Sequence, residues 1–160
     1  MSQHSFYLSL GSNIAPELNL PRALDLLAEY GEIEQVSEAW ESKAVGSDGQ
    51  NFLNASVLLR TNISPSEFKS RVVLPIEAAL GRIRTQNKNA ARPIDIDITM
   101  VDGEPFNLDK WDNAFVLLPI AELLPNAQHP THAGTLRDAA ESARRQTWIV
   151  PRPGLLKTPS

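Results

Sequence analysis

Arg92-Pro93-Ile94-Asp95-Ile96-Asp97-Ile98-Thr99-Met100 is apolar at every second position from Ile94 onward. A β-strand turns successive side chains to opposite faces, so the pattern predicts a strand buried on its isoleucine face, with Asp95, Asp97 and Thr99 on the other. The two carboxylates then stand about 6.5 Å apart along the strand. Like charges so placed repel, which a strand of purely structural purpose has no reason to keep. A hard cation between them turns that repulsion into binding. Mg²⁺ suits such a pair because it keeps coordination places for water and phosphate oxygens. The same spacing also fits an exposed strand face dotted with acids.

Immediately upstream, Gly81-Arg82-Ile83-Arg84 opens a polar stretch that continues through Lys88 to Arg92. Arg82, Arg84, Lys88 and Arg92 are thereby delivered beside the acidic pair. Metal-bound polyphosphate needs that juxtaposition, with carboxylates on the metal and guanidinium groups on the remaining phosphate oxygens. Such basic runs are more often solvated loops, and here the neighbouring acids favour function. No GxxxxGK[ST] loop offers another way to hold a nucleotide. On a separate strand, Phe52, Asn54 and Ser56 share a face. Phe52 there suits stacking on a flat heterocycle and Asn54 suits its hydrogen-bonding edge, with Phe115 as a second ring. His4, His129 and His132 show no metal-ligand spacing, and His129-Pro130 reads as a turn.

Outward from these segments, residues 6–10 alternate as a strand and run into Gly11-Ser12-Asn13, a turn signal. Leu20, Ala23, Leu24 and Leu27 keep helical spacing, with Asn19 as cap, Pro21 in the first turn and Gly31 at the end. A strand follows over residues 33–40, a loop over 42–50 and a strand over 52–61. Ser64-Pro65-Ser66-Glu67 is a capping box that starts a helix running to Leu80, with Pro75 kinking it. Strand, helix, strand, strand, helix, strand is the ferredoxin-like βαββαβ order, an α+β sandwich with helices on one sheet face. C-terminal additions comprise an apolar segment over 115–124 and a helix over 135–145. Residues 1–147 read as a single domain and 148–160 as a Pro-rich tail, extended or mobile.

The 160 residues suffice for one core, and the 42% hydrophobic and 21% charged shares are those of a globular chain. The absence of cysteine excludes disulfides, thiol nucleophiles and Cys-ligated metals. No apolar run reaches the roughly 20 residues of a membrane span, and the first residues lack the pattern of a signal peptide. The expectation is a cytoplasmic, monomeric protein without membrane partners. A net charge of −4 argues against nucleic acid as a partner.

These residues resemble 6-hydroxymethyl-7,8-dihydropterin pyrophosphokinase from about residue 7 to residue 140. The resemblance is carried by Leu10-Gly11-Ser12-Asn13, Phe52-Leu53-Asn54-Ala55, and Glu77 with Gly81-Arg82-Ile83-Arg84. Arg92-Pro93-Ile94-Asp95-Ile96-Asp97-Ile98 and Phe115-Val116-Leu117-Leu118-Pro119 complete it. It implies the ferredoxin-like fold and transfer of diphosphate from the co-substrate ATP to the pterin hydroxymethyl group, releasing AMP in folate biosynthesis. It further implies that Asp95 and Asp97 bind two Mg²⁺, and that Arg82 and Arg92 steady the phosphates. Phe52 and Phe115 would sandwich the pterin, Asn54 would read its edge, and Ser42 to Val45 would add hydrogen bonds. Glu77, Arg84, Lys88, Ile98 and Lys110 fall on the ATP side. The sequence departs from the family pattern at residues 102–114, which hold neither His nor Arg. Asn113 stands at the expected Arg, and Lys110 is the cation available. That departure leaves open a second reading, a divergent paralogue that binds a pterin or nucleotide with little transfer.

Overall fold

Phe6, Leu8 and Leu10 alternate with Tyr7 and Ser9 in β1 (His4–Ser12) of the computed structural model, which describes residues 2–44, 49–83, 85–87 and 90–159. Gly11 and Ser12, expected to turn, continue this strand. The chain turns at Ala15, whose φ of 42° is left-handed, and α1 (Pro16–Leu27) follows. Asn19 therefore lies inside the helix instead of capping it, and its buried amide donates to the Ile14 carbonyl at 2.7 Å. Leu20, Ala23, Leu24 and Leu27 are the buried stripe, as their spacing predicts.

The strand expected over residues 33–40 divides into β2 (Glu32–Val36) and β3 (Ala39–Ser42), both antiparallel to β4 (Phe52–Thr61). Val36 lies opposite Val57 and Trp40 opposite Asn54, so four steps on one side match three on the other. The extra residue makes a break, closed by the Ser37 hydroxyl, which accepts from the Ser56 N–H and donates to the Glu38 carbonyl, each at 2.8 Å.

The helix predicted over residues 64–80 consists of α2 (Pro65–Phe68), a π-helical turn at Lys69–Val73 and α3 (Leu74–Ala79). The disturbance expected from Pro75 takes the form of that wide turn. Proline has no N–H for the carbonyl four residues back, and the π turn redistributes the bonds just before it. Gly81, with φ of 91°, ends the helix.

After β5 (Asp95–Val101), Asp102 and Gly103 turn with φ of 50° and 85° into the short β6 (Glu104–Pro105). Leu8 faces Ile98 and Tyr7 faces Met100, leaving Thr99 as a bulge in β5. The bulge reverses the alternation beyond it, so Met100 packs away from the isoleucines and Val101 joins their side. A 3₁₀ turn (Leu108–Lys110), α4 (Ala114–Leu123), α5 (Leu136–Gln146) and β7 (Ile149–Arg152) complete the chain. Thr135 caps α5 in a reciprocal capping box with Asp138.

The sheet order is β6-β5-β1-β4-β3-β7, with β2 also on β4, and every pairing is antiparallel. Its inner part is the predicted α+β ferredoxin-like unit. Phe6, Leu8, Leu53, Val57, Ile94 and Ile96 meet α1, α2 and α3 on one face. The opposite face was expected to be open, and α4 and α5 cover it by packing Leu117, Ile120, Leu136 and Ala140 around Trp40, Trp111 and Ile149.

The C-terminal segment is partly built in. β7 pairs with β3, Ser42 opposite Ile149, and Leu156 is buried in the same core cluster as residues of α1 and α3. Leu156→Ala should therefore destabilise the protein by about 2–3 kcal/mol, the usual consequence of emptying a leucine site. Chemical denaturation showing no change would mean that the tail is not part of the folded unit.

Candidate active site

Gly11 lies opposite Asp95 and Ser9 opposite Asp97, so the two carboxylates open at the end of the sheet where loops from both layers converge. Two cavities meet there. One, of about 270 Å³, is lined by Gly11, Ser42, Lys43, Phe52, Asn54 and Phe115. The other, of about 410 Å³, is lined by Arg82, Ile83, Thr85, Asn87, Ala90 and Ala91. Arg92, Asp95, Asp97 and Lys110 line both. One cavity is thus walled by rings and amides and the other by a polar loop, and paired carboxylates with two cations mark their junction.

Arg82 does more than present a charge to solvent. Its Nη1 lies 2.6 Å from Glu77 Oε2 and 2.8 Å from Asp95 Oδ1. Glu77 is buried at 3% exposure and also accepts the Ile96 N–H at 3.1 Å, which ties α3 to β5. Glu77, expected on the nucleotide side, is therefore a buried strut in this structure. Arg92 approaches Asp95 Oδ2 at 3.9 Å and lies 6.0 Å from the centre of the Phe52 ring. The Ile98 carbonyl accepts from the Asn107 amide at 2.8 Å. Val45, Arg84 and Lys88 lie outside the described residues.

In the first cavity, Asn54 is 3% exposed because α4 roofs the strand face that the sequence pattern leaves polar and open. Its amide nitrogen donates to the Trp40 carbonyl at 2.9 Å and to Ser42 Oγ at 2.8 Å. That fixes the flip of the side chain and leaves Oδ1 as the atom offered to a ligand N–H. A Cβ on Gly11 would stand 3.3 Å from this Oδ1 and 3.7 Å from the Phe52 ring, so the glycine keeps the cavity floor clear. Phe52 is half-buried and Phe115, at 36% exposure, lies open at the first turn of α4.

Asn13 plays a part that the turn reading of Gly11-Ser12-Asn13 missed. Buried at 2% exposure, its Oδ1 accepts the Arg92 N–H at 2.7 Å, and its N–H donates to the Arg92 carbonyl at 3.0 Å. This two-way clamp sets the entry of the chain into β5, and nothing local in the sequence signals it.

A second group of polar side chains, Asp112, His129 and His132, lies on the far side of Trp111. His129 Nδ1 accepts the N–H groups of Thr131 and His132 at 3.1 and 3.2 Å, so Nε2 carries the proton and gives it to the Trp111 carbonyl at 3.0 Å. With both nitrogens committed, His129 has no lone pair for a metal and acts as a buried brace.

Comparisons with known proteins agree with this geometry. The family described as 7,8-dihydro-6-hydroxymethylpterin-pyrophosphokinase (HPPK) matches residues 7–125. The 2-amino-4-hydroxy-6-hydroxymethyldihydropteridine pyrophosphokinase of Aquifex aeolicus is 34% identical over 145 residues, covering 82% of this chain and 88% of its own. The Synechocystis protein of the same name is 31% identical over 164 residues, covering 95% and 83%. A crystal structure of an HPPK-DHPS in complex with substrates superimposes with a TM-score of 0.67 at 13% identity, which speaks for the fold alone. That match covers 91% of this chain and 44% of the larger one, so the chain spans less than half of the two-part protein.

The carboxylates at the junction are electrostatically unequal. Arg82 neutralises Asp95, whereas no ion pair joins Asp97 to a described residue. Burial first, then the charge of Asp95, push the Asp97 carboxyl up to about 6, against a lowering pull from Lys110. A proton therefore binds the native protein more tightly than the unfolded chain, and stability from this group falls as pH rises between roughly 4 and 6. Asp97→Asn removes that penalty. In metal-free buffer at pH 8 it should raise stability by about 1 kcal/mol or more, and at pH 4 it should change little. A variant less stable than wild type at pH 8 would show that the Asp97 charge is already compensated.

Proposed function

The chain belongs to the 7,8-dihydro-6-hydroxymethylpterin-pyrophosphokinase family, the pyrophosphokinases of folate biosynthesis, and we propose that it uses Mg²⁺ to transfer diphosphate from ATP to 6-hydroxymethyl-7,8-dihydropterin. The observation that carries this reading is the meeting of a ring-lined cavity and a cation-lined cavity at Asp95 and Asp97. A pterin in the first and a polyphosphate in the second bring a hydroxymethyl oxygen and a β-phosphorus together at the junction. The oxygen attacks the β-phosphorus in line, the bond from that phosphorus to the α,β-bridging oxygen breaks, and AMP leaves.

Asp95 and Asp97 are the residues that would hold Mg²⁺, two ions by the family resemblance. Their fit to a cation lies in two carboxylates on one cavity wall, where burial first and then the charge of Asp95 raise the Asp97 carboxyl. Bound there, Mg²⁺ would neutralise phosphate charge and raise the electrophilicity of phosphorus. The chain's own groups do the rest by positioning. Phe52 and Phe115 hold the ring faces, Asn54 Oδ1 takes a ring N–H, and Asn13 and Arg82 hold Arg92 and Asp95 in place. Arg92 and Lys110, lining both cavities, are set to follow charge from the triphosphate to the leaving AMP. Lys110 is the cation contributed by the segment that lacks His and Arg. That lack also supports the reading of a binding paralogue with little transfer.

Incubation with Mg·ATP and 6-hydroxymethyl-7,8-dihydropterin separates the two readings by release of AMP. Asp95→Ala and Asp97→Ala should each lower that release by at least about a thousandfold while the fold persists. A variant keeping most of its activity would remove the metal role, and a wild type releasing no AMP would leave the paralogue. Phe52→Ala should weaken pterin binding about tenfold or more with Mg·ATP binding nearly unchanged, because stacking acts on the heterocycle alone. Equal losses in calorimetric titrations of both ligands would reduce Phe52 to a packing residue.

A further inference from the structure

Residues 102–113 deliver Lys110, their only cation, to the junction of the two cavities. Residues 102–109 are exposed, Phe106 and Leu108 among them, so the segment gains little hold from apolar burial of its own. Trp111 is the only buried residue in it. Polar ties on either side of Lys110 do the holding. In front, the Asn107 amide donates to the Ile98 carbonyl of β5 at 2.8 Å. Behind, His129 Nε2 donates to the Trp111 carbonyl at 3.0 Å, and the Trp111 indole donates to the Phe106 carbonyl at 3.0 Å, closing the turn that carries Lys110. His129 is a fixed post for that bond. Its ring is buried, its Nδ1 accepts the N–H groups of Thr131 and His132, and its own N–H donates to the Gly134 carbonyl at 3.0 Å. The loop that bears it is bonded to α5, since the N–H groups of Leu136 and Arg137 donate to the carbonyls of Ala127 and Pro125. The His132 ring lies 4.7 Å from the His129 ring and bonds Asp112 at 2.8 Å, a second tie just past Trp111.

We propose that His129 is a positioning residue for Lys110, setting through the Trp111 carbonyl where the lysine ammonium meets the phosphates of the nucleotide. That role rests on the reading above, in which Lys110 faces the triphosphate. A lysine carries its charge on a flexible four-carbon stem, so the place of its backbone decides what the ammonium reaches. A shift of about 1 Å at that base is enough to deprive a positioned group of much of its effect. The bond to the Trp111 carbonyl lies one residue from Lys110, on the side where the segment has no tie to β5. Loss of this bond leaves Lys110 attached to the sheet through Asn107 alone. A histidine that only stabilised the fold would leave nucleotide affinity untouched. One that acts through Lys110 changes affinity while the lysine is present and has no further effect once that charge is removed.

The test is a double-mutant cycle on the full chain, read by calorimetric titration of α,β-methylene-ATP in saturating Mg²⁺ at pH 8, with chemical denaturation of the same variants. Lys110→Met should weaken nucleotide binding about tenfold, as loss of a charge-assisted contact does. His129→Phe, which keeps a ring and loses both nitrogens, should weaken it about fivefold alone and less than about twofold when added to Lys110→Met. His129→Gln can still donate to the Trp111 carbonyl. It should lose stability, because the Thr131 and His132 N–H groups lose their acceptor, yet keep affinity within about twofold of wild type. His132→Ala, an exposed change that spares His129, should weaken binding about threefold, again only with Lys110 present, and serves where His129→Phe does not fold. In steady-state AMP release, KM for Mg·ATP should rise in these variants while KM for the pterin stays the same. Losses that multiply in the double variants, or affinity that tracks stability through His129→Gln, would overturn the assignment of His129. A wild type that binds no α,β-methylene-ATP would overturn the nucleotide reading of the cavity itself, and the role of His129 with it.

Discussion

Arg82 stands between two carboxylates, 2.6 Å from Glu77 and 2.8 Å from Asp95. Glu77 comes from α3, Arg82 from the loop after it and Asp95 from the first residue of β5. One guanidinium therefore joins the helical layer to the strand that carries Asp95 and Asp97. A glutamate at 3% exposure needs partners of this kind, because desolvating a lone carboxylate costs several kcal/mol. The Ile96 N–H at 3.1 Å is a second contact on the same carboxylate. Breaking the triad from the Arg82 side leaves Glu77 buried without its cation and frees Asp95 to swing. Position of the site and cohesion of the fold depend on the same few atoms here.

The covering of both sheet faces follows from how the central strands are loaded. In β4, Leu53, Val57 and Leu59 are buried on one side and Asn54 and Ser56 on the other, so both faces are covered. α1, α2 and α3 shield the first, and α4 shields the second by laying its apolar length across β4 and β3. With helices on both sides, Gly11, Asp95, Ser42 and Phe52 line a common cavity at the end of the sheet. Placing Phe115 in the first turn of α4 brings an aromatic ring to that cavity from the second layer.

Much of this was readable from residues alone. Strict alternation from Ile94 to Ile98 located β5 and put both aspartates on one face, and the spacing of Leu20, Ala23, Leu24 and Leu27 located α1. Phe52, Asn54, Ser42 and Phe115 do line one cavity. The misreadings share a cause, in that local pattern is blind to partners distant in sequence. Gly11 looked like a turn residue, yet it is extended because β4 and β5 pair with it on both sides. Met100 continued the isoleucine alternation on paper, and a bulge set by the register with β1 turned it over. Asn13 gave no sign that Arg92, far along the chain, is its partner. The tail carries so many prolines that its role as an edge strand on β3 could not be inferred from propensity.

The two aspartates are treated unequally, and that difference bears on the proposed cation site. If a guanidinium neutralised each carboxylate, the site would resemble an ordinary surface network and would gain little from a divalent cation. If neither were neutralised, mutual repulsion would hold one of them protonated near neutral pH and leave a single ligand charge. Arg82 on Asp95, with the charge of Lys110 pulling on Asp97, lies between these limits. One carboxylate of the pair is fixed in position by the fold, and the other stands where the two cavities meet, with no ion pair to a described residue. Asp97, pushed up to about 6 by burial and then by the charge of Asp95, holds a proton more tightly than a free aspartate does. Burial by the surrounding strands raises the affinity of this charge for anything positive, and Arg82 keeps that same burial from unfolding the site.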